Sequence, residues 1–258
     1  MVGIRCQIHR HHSCNEFTAL TEPNKRTLLK RLAVDLAALC SNPEDLDHAF
    51  DLLNATYATE VAQAARDRLK NDPAISPLVS EHYWGDWPAL PQLIAMPSGS
   101  LGHVYGRFMT SQGLSELPAP QLPNAMGGDD AYLQMRIRHT HDLWHVIAGL
   151  PITLAGEAAA NGLTTEQLRS PGSALLIATD LIHRVSDADA DADGEGAVDV
   201  GLAIAYGLNL GAKAQPLLAQ RWEEGGRTPL DHWRERLRIR SLQHACTFPM
   251  LAGEAVRE

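Results

Sequence analysis

The sequence is short of the features that mark secreted, membrane-spanning or nucleic-acid-binding chains. Basic residues are outnumbered, 22 against 31 acidic, giving a net charge of −9 over 258 residues. That balance works against broad attraction to polyanions, so no nucleic-acid partner is expected. Four cysteines (Cys6, Cys14, Cys40 and Cys246) form no C-x-x-C pair, which speaks for reduced thiols and against a zinc ribbon or disulfide framework. No apolar run approaches the roughly 18–20 residues of a spanning helix. The nearest, Val200 to Ala212, is too short and contains Asn209. The first dozen residues lack an apolar signal core. The expectation is a soluble, cytoplasmic chain whose membrane contact, if any, is peripheral to the inner face of the membrane. Aromatics are only 5%, yet hydrophobic residues reach 45%, enough to bury a sizeable core without cross-links.

Strand-like alternation is almost absent, and the apolar residues follow a helical period. Leu28, Leu32, Leu36 and Leu39 form one stripe, ending near Pro43. Leu46, Ala49, Phe50 and Leu53 form a second, and Tyr57, Val61, Ala65 and Leu69 continue the period to Asn71-Asp72-Pro73. Residues 73–97 are rich in proline and tryptophan and read as an irregular connection. Further helices are expected over 100–112, 129–148, 154–161, 173–185, 198–220 and 229–239. The fold class is therefore all-α: a single mainly helical domain over 21–258 with long irregular Pro/Trp-rich connections, preceded by a loosely ordered segment, 1–20. The tract 187–199 alternates Asp and Ala; Asp189, Asp191, Asp193 and Gly194 imitate a calcium loop, but the position that should carry its bidentate Glu is Val200. It reads as a solvated acidic loop.

The segment with chemical content runs from Arg136 to Glu157. On a helix His141 and His145 lie one turn apart, about 40° from each other around the axis, with Asp142 about 60° further round. Two imidazoles at i and i+4 are a common helical offer to a divalent metal. Glu157 follows twelve residues after His145, roughly 18 Å along a straight helix, so it joins them only if the chain turns back. Gly149-Leu150-Pro151 supplies the break, since proline lacks an amide donor and glycine suits a helix terminus. Gly156 permits close backbone approach. Arg138 and Asp142, four apart, also suit a plain surface ion pair, and twelve histidines make one accidental i, i+4 pair ordinary.

The pattern His141-Asp142-x-x-His145-x11-Glu157 resembles the signature of the coenzyme Q biosynthesis protein 4 family, an all-helical family linked to ubiquinone synthesis. Further segments carry the likeness across roughly residues 90–240. These are Pro97-Ser-Gly99-Ser-Leu101-Gly102 with Tyr105 and Met109, Tyr132 with Arg136 and Arg138, Trp222 to Leu230, and Arg234-x-x-Leu237-x-Ile239. With no mitochondrial presequence visible, the chain reads as a bacterial-type member.

The resemblance implies one divalent metal held by His141, Asp142, His145 and Glu157, which would also be the catalytic residues. Zinc is favoured, and manganese or iron is compatible with the same N/O ligands. It implies an activity as well: removal of the C1 carboxylate of a polyprenylated 4-hydroxybenzoate intermediate, coupled to or followed by hydroxylation. Arg136 or Arg138 would pair with that carboxylate. A prenyl tail needs an apolar groove, and Ala203-x3-Gly207-x3-Gly211 offers a small-residue helix face that admits either a slim lipid chain or a neighbouring helix. The implied partners are a prenylated aromatic or quinone-like lipid and other quinone-pathway enzymes, with a homodimer compatible.

Three other readings stand beside this one. A lipid-binding scaffold would use the same four residues structurally. An H-D phosphohydrolase would take His103, His141, Asp142 and Asp180 as ligands, leaving His145 and Glu157 unexplained. The terminal cluster of Cys6, His9, His11, His12 and Cys14 has metal-binding residue types without a known spacing, and reads as an unstructured tail.

Overall fold

A computed structural model of the chain describes residues 22–115, 117, 119–124, 126–186 and 200–239. Helix α1 (Glu22–Ser41) and α2 (Leu46–Thr56) open the fold. Asp45 caps α2, its carboxylate accepting from the His48 amide at 3.1 Å. The helical period across Tyr57–Leu69 is interrupted, because Thr59 caps a new helix, α3 (Glu60–Lys70), accepting from the Ala62 amide. That restart moves the buried face by one residue. Ala62, Arg66 and Leu69 face inward, and Val61 is 65% exposed; Leu46, also expected inside, is 66% exposed. Arg66 is tolerated inside because its guanidinium donates to the Tyr57 carbonyl, Gln63 and Asp130.

The connection expected over 73–97 contains two short helices, α4 (Ser76–Glu81) and α5 (Leu90–Ile94). Each carries proline in its first turn, where the missing amide costs nothing. The segment between them is irregular, with Trp87 stacked on Tyr105 and Trp84 tilted against His139. Helix α6 (Leu101–Ser111) is capped by Ser100. A second irregular stretch leads to α7 (Gly128–Ala148), followed by α8 (Leu154–Leu168), α9 (Pro171–Ser186) and α10 (Val200–Lys213). Two 3₁₀ turns, Leu217–Ala219 and Trp222–Gly225, precede α11 (Leu230–Leu237).

Helix α8 runs two turns beyond the expected end at Asn161, because Gly162 is a packing residue and no terminator. A Cβ there would stand 2.7 Å from the Ile204 carbonyl. Helix α10 stops at Lys213 rather than continuing to Gln220, with Pro216 just beyond. The described residues are all-α, with no strand and one isolated bridge, Ser100 to Pro229. Helix α7 is central. Leu133, Leu143, Val146 and Ile147 are fully buried, as are Leu163 of α8 and Trp222. No described helix is long and apolar enough to cross a membrane. The Cys/His cluster near the N-terminus and the acidic tract 187–199 lie outside the described residues.

Candidate functional site

Helix α7 ends where its sequence turns to Gly149-Leu150-Pro151. Gly149 adopts a left-handed φ of 71°, the Leu150 amide returns to the His145 carbonyl at 2.9 Å, and the helix closes. Arg234 of α11 fixes the same end, donating from Nε to the Ile147 carbonyl at 3.0 Å and from Nη2 to Val146. The chain reverses, and Thr153 caps α8 by accepting from the Gly156 amide. A Cβ on Gly156 would stand 2.0 Å from the Pro151 carbonyl, so only glycine allows this tight return. Glu157 thus sits in the first turn of α8, where the helix dipole favours its negative charge.

The turn brings Glu157 back to the histidines. Its Oε2 lies 3.6 Å from Nε2 of His145 and 3.9 Å from Nε2 of His141, and the two Nε2 atoms are 3.2 Å apart. One donor atom from each of the three residues falls within 4.8 Å of the others. His145 is 1% exposed and stacks on Phe108. Its Nδ1 donates to the Leu150 carbonyl at 3.3 Å, which leaves Nε2 aimed at the cluster, as metal-binding imidazoles are usually oriented. Asp142 lies outside this cluster, so the structure brings together three of the four expected ligands. Asp142, like His141 and Glu157, lines the adjoining cavity.

The electrostatics follow from burial and this crowding. Burial, helped by His145, pulls His141 down to about 4, keeping its imidazole neutral. Burial also pulls on His145, but the Glu157 carboxylate outweighs it and the His145 pKa rises. Burial pushes against ionisation of Glu157, yet His145 and His141 prevail and hold it at about 2. Asp142 is raised to about 6 by burial, with Glu157 repulsion adding to it and His145 opposing. A neutral imidazole, a second imidazole free to release its proton and a permanent carboxylate form a donor set that fits a divalent metal.

A cavity of about 410 Å³ opens beside the cluster, between α2, α3, α7, α8 and α9. Its walls are mostly apolar, including Ala49, Phe50, Leu53, Leu69, Ile137 and Leu176, and its polar members include Arg138, Asp142 and Asp180. Arg138 lies on the wall with its guanidinium 4.4 Å from the Phe50 ring centroid. Arg136 points elsewhere. It is buried in an ion pair with Glu223, their side chains 1% and 2% exposed, and donates to the Gln220 carbonyl at 2.8 Å. The expected carboxylate-binding role therefore does not extend to Arg136.

The small-residue face of α10 is also used differently. Ala203, Gly207 and Gly211 do not border the cavity. A Cβ on Gly207 would stand 1.9 Å from the Ala159 carbonyl, and one on Gly211 would stand 2.9 Å from Leu163. The stripe is filled by α8, against Ala159, Leu163 and Glu166. His103, a ligand in the phosphohydrolase reading, donates to the Ile94 carbonyl and does not border the cavity. His183 is likewise committed to the Cys40 carbonyl. Sequence reasoning missed the Leu150 carbonyl and the Arg234 clamp. Leu150 sits within the visible Gly-Leu-Pro break, whereas nothing local announces a residue that acts across nearly ninety positions.

The sequence profile of the Coenzyme Q (ubiquinone) biosynthesis protein Coq4 family matches residues 27–243. A mitochondrial ubiquinone biosynthesis protein COQ4 of Eremothecium gossypii is 28% identical over 154 residues, 58% of this chain and 45% of that protein. The mitochondrial COQ4 homolog of Rattus norvegicus is 28% identical over 155 residues, 58% of this chain and 57% of that one. These matches span about half the length of both relatives. The crystal structure of a candidate ubiquinone biosynthesis protein from Nostoc punctiforme superposes with a TM-score of 0.69 at 28% identity, covering 83% of this chain and 97% of that chain. The profile match spans the three converging donors and the Arg234 clamp, and the chain belongs to the Coq4 family of coenzyme Q (ubiquinone) biosynthesis proteins.

Proposed function

We propose that this chain binds a polyprenylated 4-hydroxybenzoate intermediate and releases its C1 carboxylate as carbon dioxide at a divalent-metal site, C1 taking a proton in its place. Hydroxylation there, coupled to or following that loss, would draw its oxygen and oxidising equivalents from dioxygen. One observation carries the reading: His141, His145 and Glu157 converge, and His141 and Glu157 of that cluster line a largely apolar cavity. These three residues would hold the ion, and Asp142, the next residue along α7 from His141, would supply a fourth ligand on side-chain rotation. The donor set suits zinc, with manganese or iron allowed by the same ligand types. A bound divalent ion supplies Lewis acidity toward a carboxylate.

The chain's own residues account for the rest. Arg138 offers a forked guanidinium to the substrate carboxylate. Phe50, Leu53, Leu69 and Leu176 give the prenyl tail an apolar wall worth about 0.8 kcal/mol per buried methylene. Leu181, Ile182 and Val185 of α9 are exposed, which supports peripheral membrane contact as the route by which such a lipid arrives, and a homodimer would bury the same face. Association with other quinone-pathway enzymes fits the family. The test is turnover: metal-loaded protein should release carbon dioxide from a prenylated 4-hydroxybenzoate, and Glu157→Gln should not. Tight binding without turnover would replace catalysis by a lipid-binding scaffold.

A further inference from the structure

The cavity holds a second ionisable group that the metal cluster leaves unused. Asp180 projects from α9, is 8% exposed, and lines the same cavity as His141, Asp142 and Glu157. Its Oδ2 is buried without a hydrogen-bond partner. Its neighbours on α9 are committed elsewhere. The Thr179 hydroxyl donates to the Leu176 carbonyl at 2.8 Å, and His183 donates to the Cys40 carbonyl at 2.9 Å. A buried carboxyl oxygen left unsatisfied destabilises the fold, and one facing a cavity is explained by the molecule that fills it.

The charge pattern narrows what that molecule presents. Burial raises Asp180 to about 7, Glu157 repels its negative form in the same direction, and His183 opposes only in part. A ligand anion beside Glu157 is disfavoured, whereas a neutral hydroxyl oxygen can hydrogen-bond the Asp180 carboxyl. The anionic end of a ligand therefore belongs with the metal and Arg138, and a neutral oxygen belongs with Asp180.

We propose that Asp180 is a specificity-determining residue of the cavity, its carboxyl hydrogen-bonding the ring hydroxyl of the bound aromatic acid. This rests on the hydroxybenzoate reading above and adds the feature by which the ring is recognised. A site built to pair with a hydroxyl rejects the analogue that lacks it, because its own polar group is then stranded.

The experiment compares affinities of the metal-loaded full chain for 3-geranyl-4-hydroxybenzoate and 3-geranylbenzoate. The native chain should prefer the hydroxylated ligand about tenfold. Asp180→Leu should bring the ratio close to one, and Asp180→Asn, which still donates and accepts, should keep most of the preference. Both variants should retain their metal, and ligand-free Asp180→Leu should melt no lower than the native chain, since it removes an unsatisfied carboxyl. An unchanged ratio in Asp180→Leu overturns the inference, as does loss of metal, which would make Asp180 a ligand. A large fall in melting temperature, or failure of Asp180→Leu to fold, also overturns it, because the carboxyl would then be holding the fold. Selectivity that survives in Asp180→Leu leaves the hydroxybenzoate reading intact, whereas a native chain that binds neither compound removes that reading and this inference together.

Discussion

The Nε2 atoms of His141 and His145 stand 3.2 Å apart, with ring planes 69° to each other. Two imidazoles held so close aim their nitrogens at one point, and Glu157 approaches that point from α8. What fixes His145 in this pose is the Leu150 carbonyl behind it, and what fixes that carbonyl is the left-handed Gly149.

Gly149→Ala should therefore disturb the site without touching a ligand. Its φ of 71° is strained for alanine, at about 1 kcal/mol of stability. The displaced Leu150 carbonyl should weaken metal binding roughly tenfold, as loss of an orienting partner does. Metal titration alongside thermal melting checks this, and unchanged affinity would show that His145 needs no such support.

Arg136 should behave as a structural cation. Arg136→Ala leaves Glu223 buried without its guanidinium, with His139 Nε2 3.9 Å away, and should cost about 3 kcal/mol. Exchanging both partners for apolar residues, Arg136→Met with Glu223→Leu, should restore most of that stability and leave hydroxybenzoate affinity unchanged. A double variant that is stable but no longer binds would return Arg136 to the substrate.

The α8–α10 contact should tolerate no added carbon. Gly207→Ala drives a methyl into the Ala159 carbonyl and should cost about 3 kcal/mol, roughly 10 °C in melting temperature for a chain of this size. Native stability combined with weaker binding of long-tailed ligands would instead make this face a lipid groove.

Much of this was legible in the sequence because helices announce themselves through period and caps, and because His141 and His145 are local to one turn. The return of Glu157 was legible from Gly149, Pro151 and Gly156. Tertiary choices were not. Arg136 and Arg138 are two residues apart, about 200° around a helix, so only one can face the cavity, and nothing local says which. The α10 stripe could admit a lipid or a helix. What decides it is the packing of α8 on that face, Gly207 against Ala159 and Gly162 against Ile204. Asp180 carries no local motif, and its environment exists only once α9 packs beside α8.

Asp180 also has a pH signature. Its folded pKa, raised to about 7, means the folded chain holds a proton that the unfolded chain releases near pH 4. Stability from this group is present below pH 4 and is lost as pH rises from 4 to 7, at most about 1.4 kcal/mol per unit. Urea unfolding at several pH values should show native stability falling relative to Asp180→Asn across that window. Parallel curves would place its carboxyl in contact with solvent.

Metal content of the purified chain tests most directly whether His141, His145 and Glu157 hold an ion. Native protein should carry about one divalent ion per chain, and His145→Ala and Glu157→Ala should each lose most of it while remaining folded. A native chain that takes up no divalent ion, or variants that keep a full complement, would contradict the account.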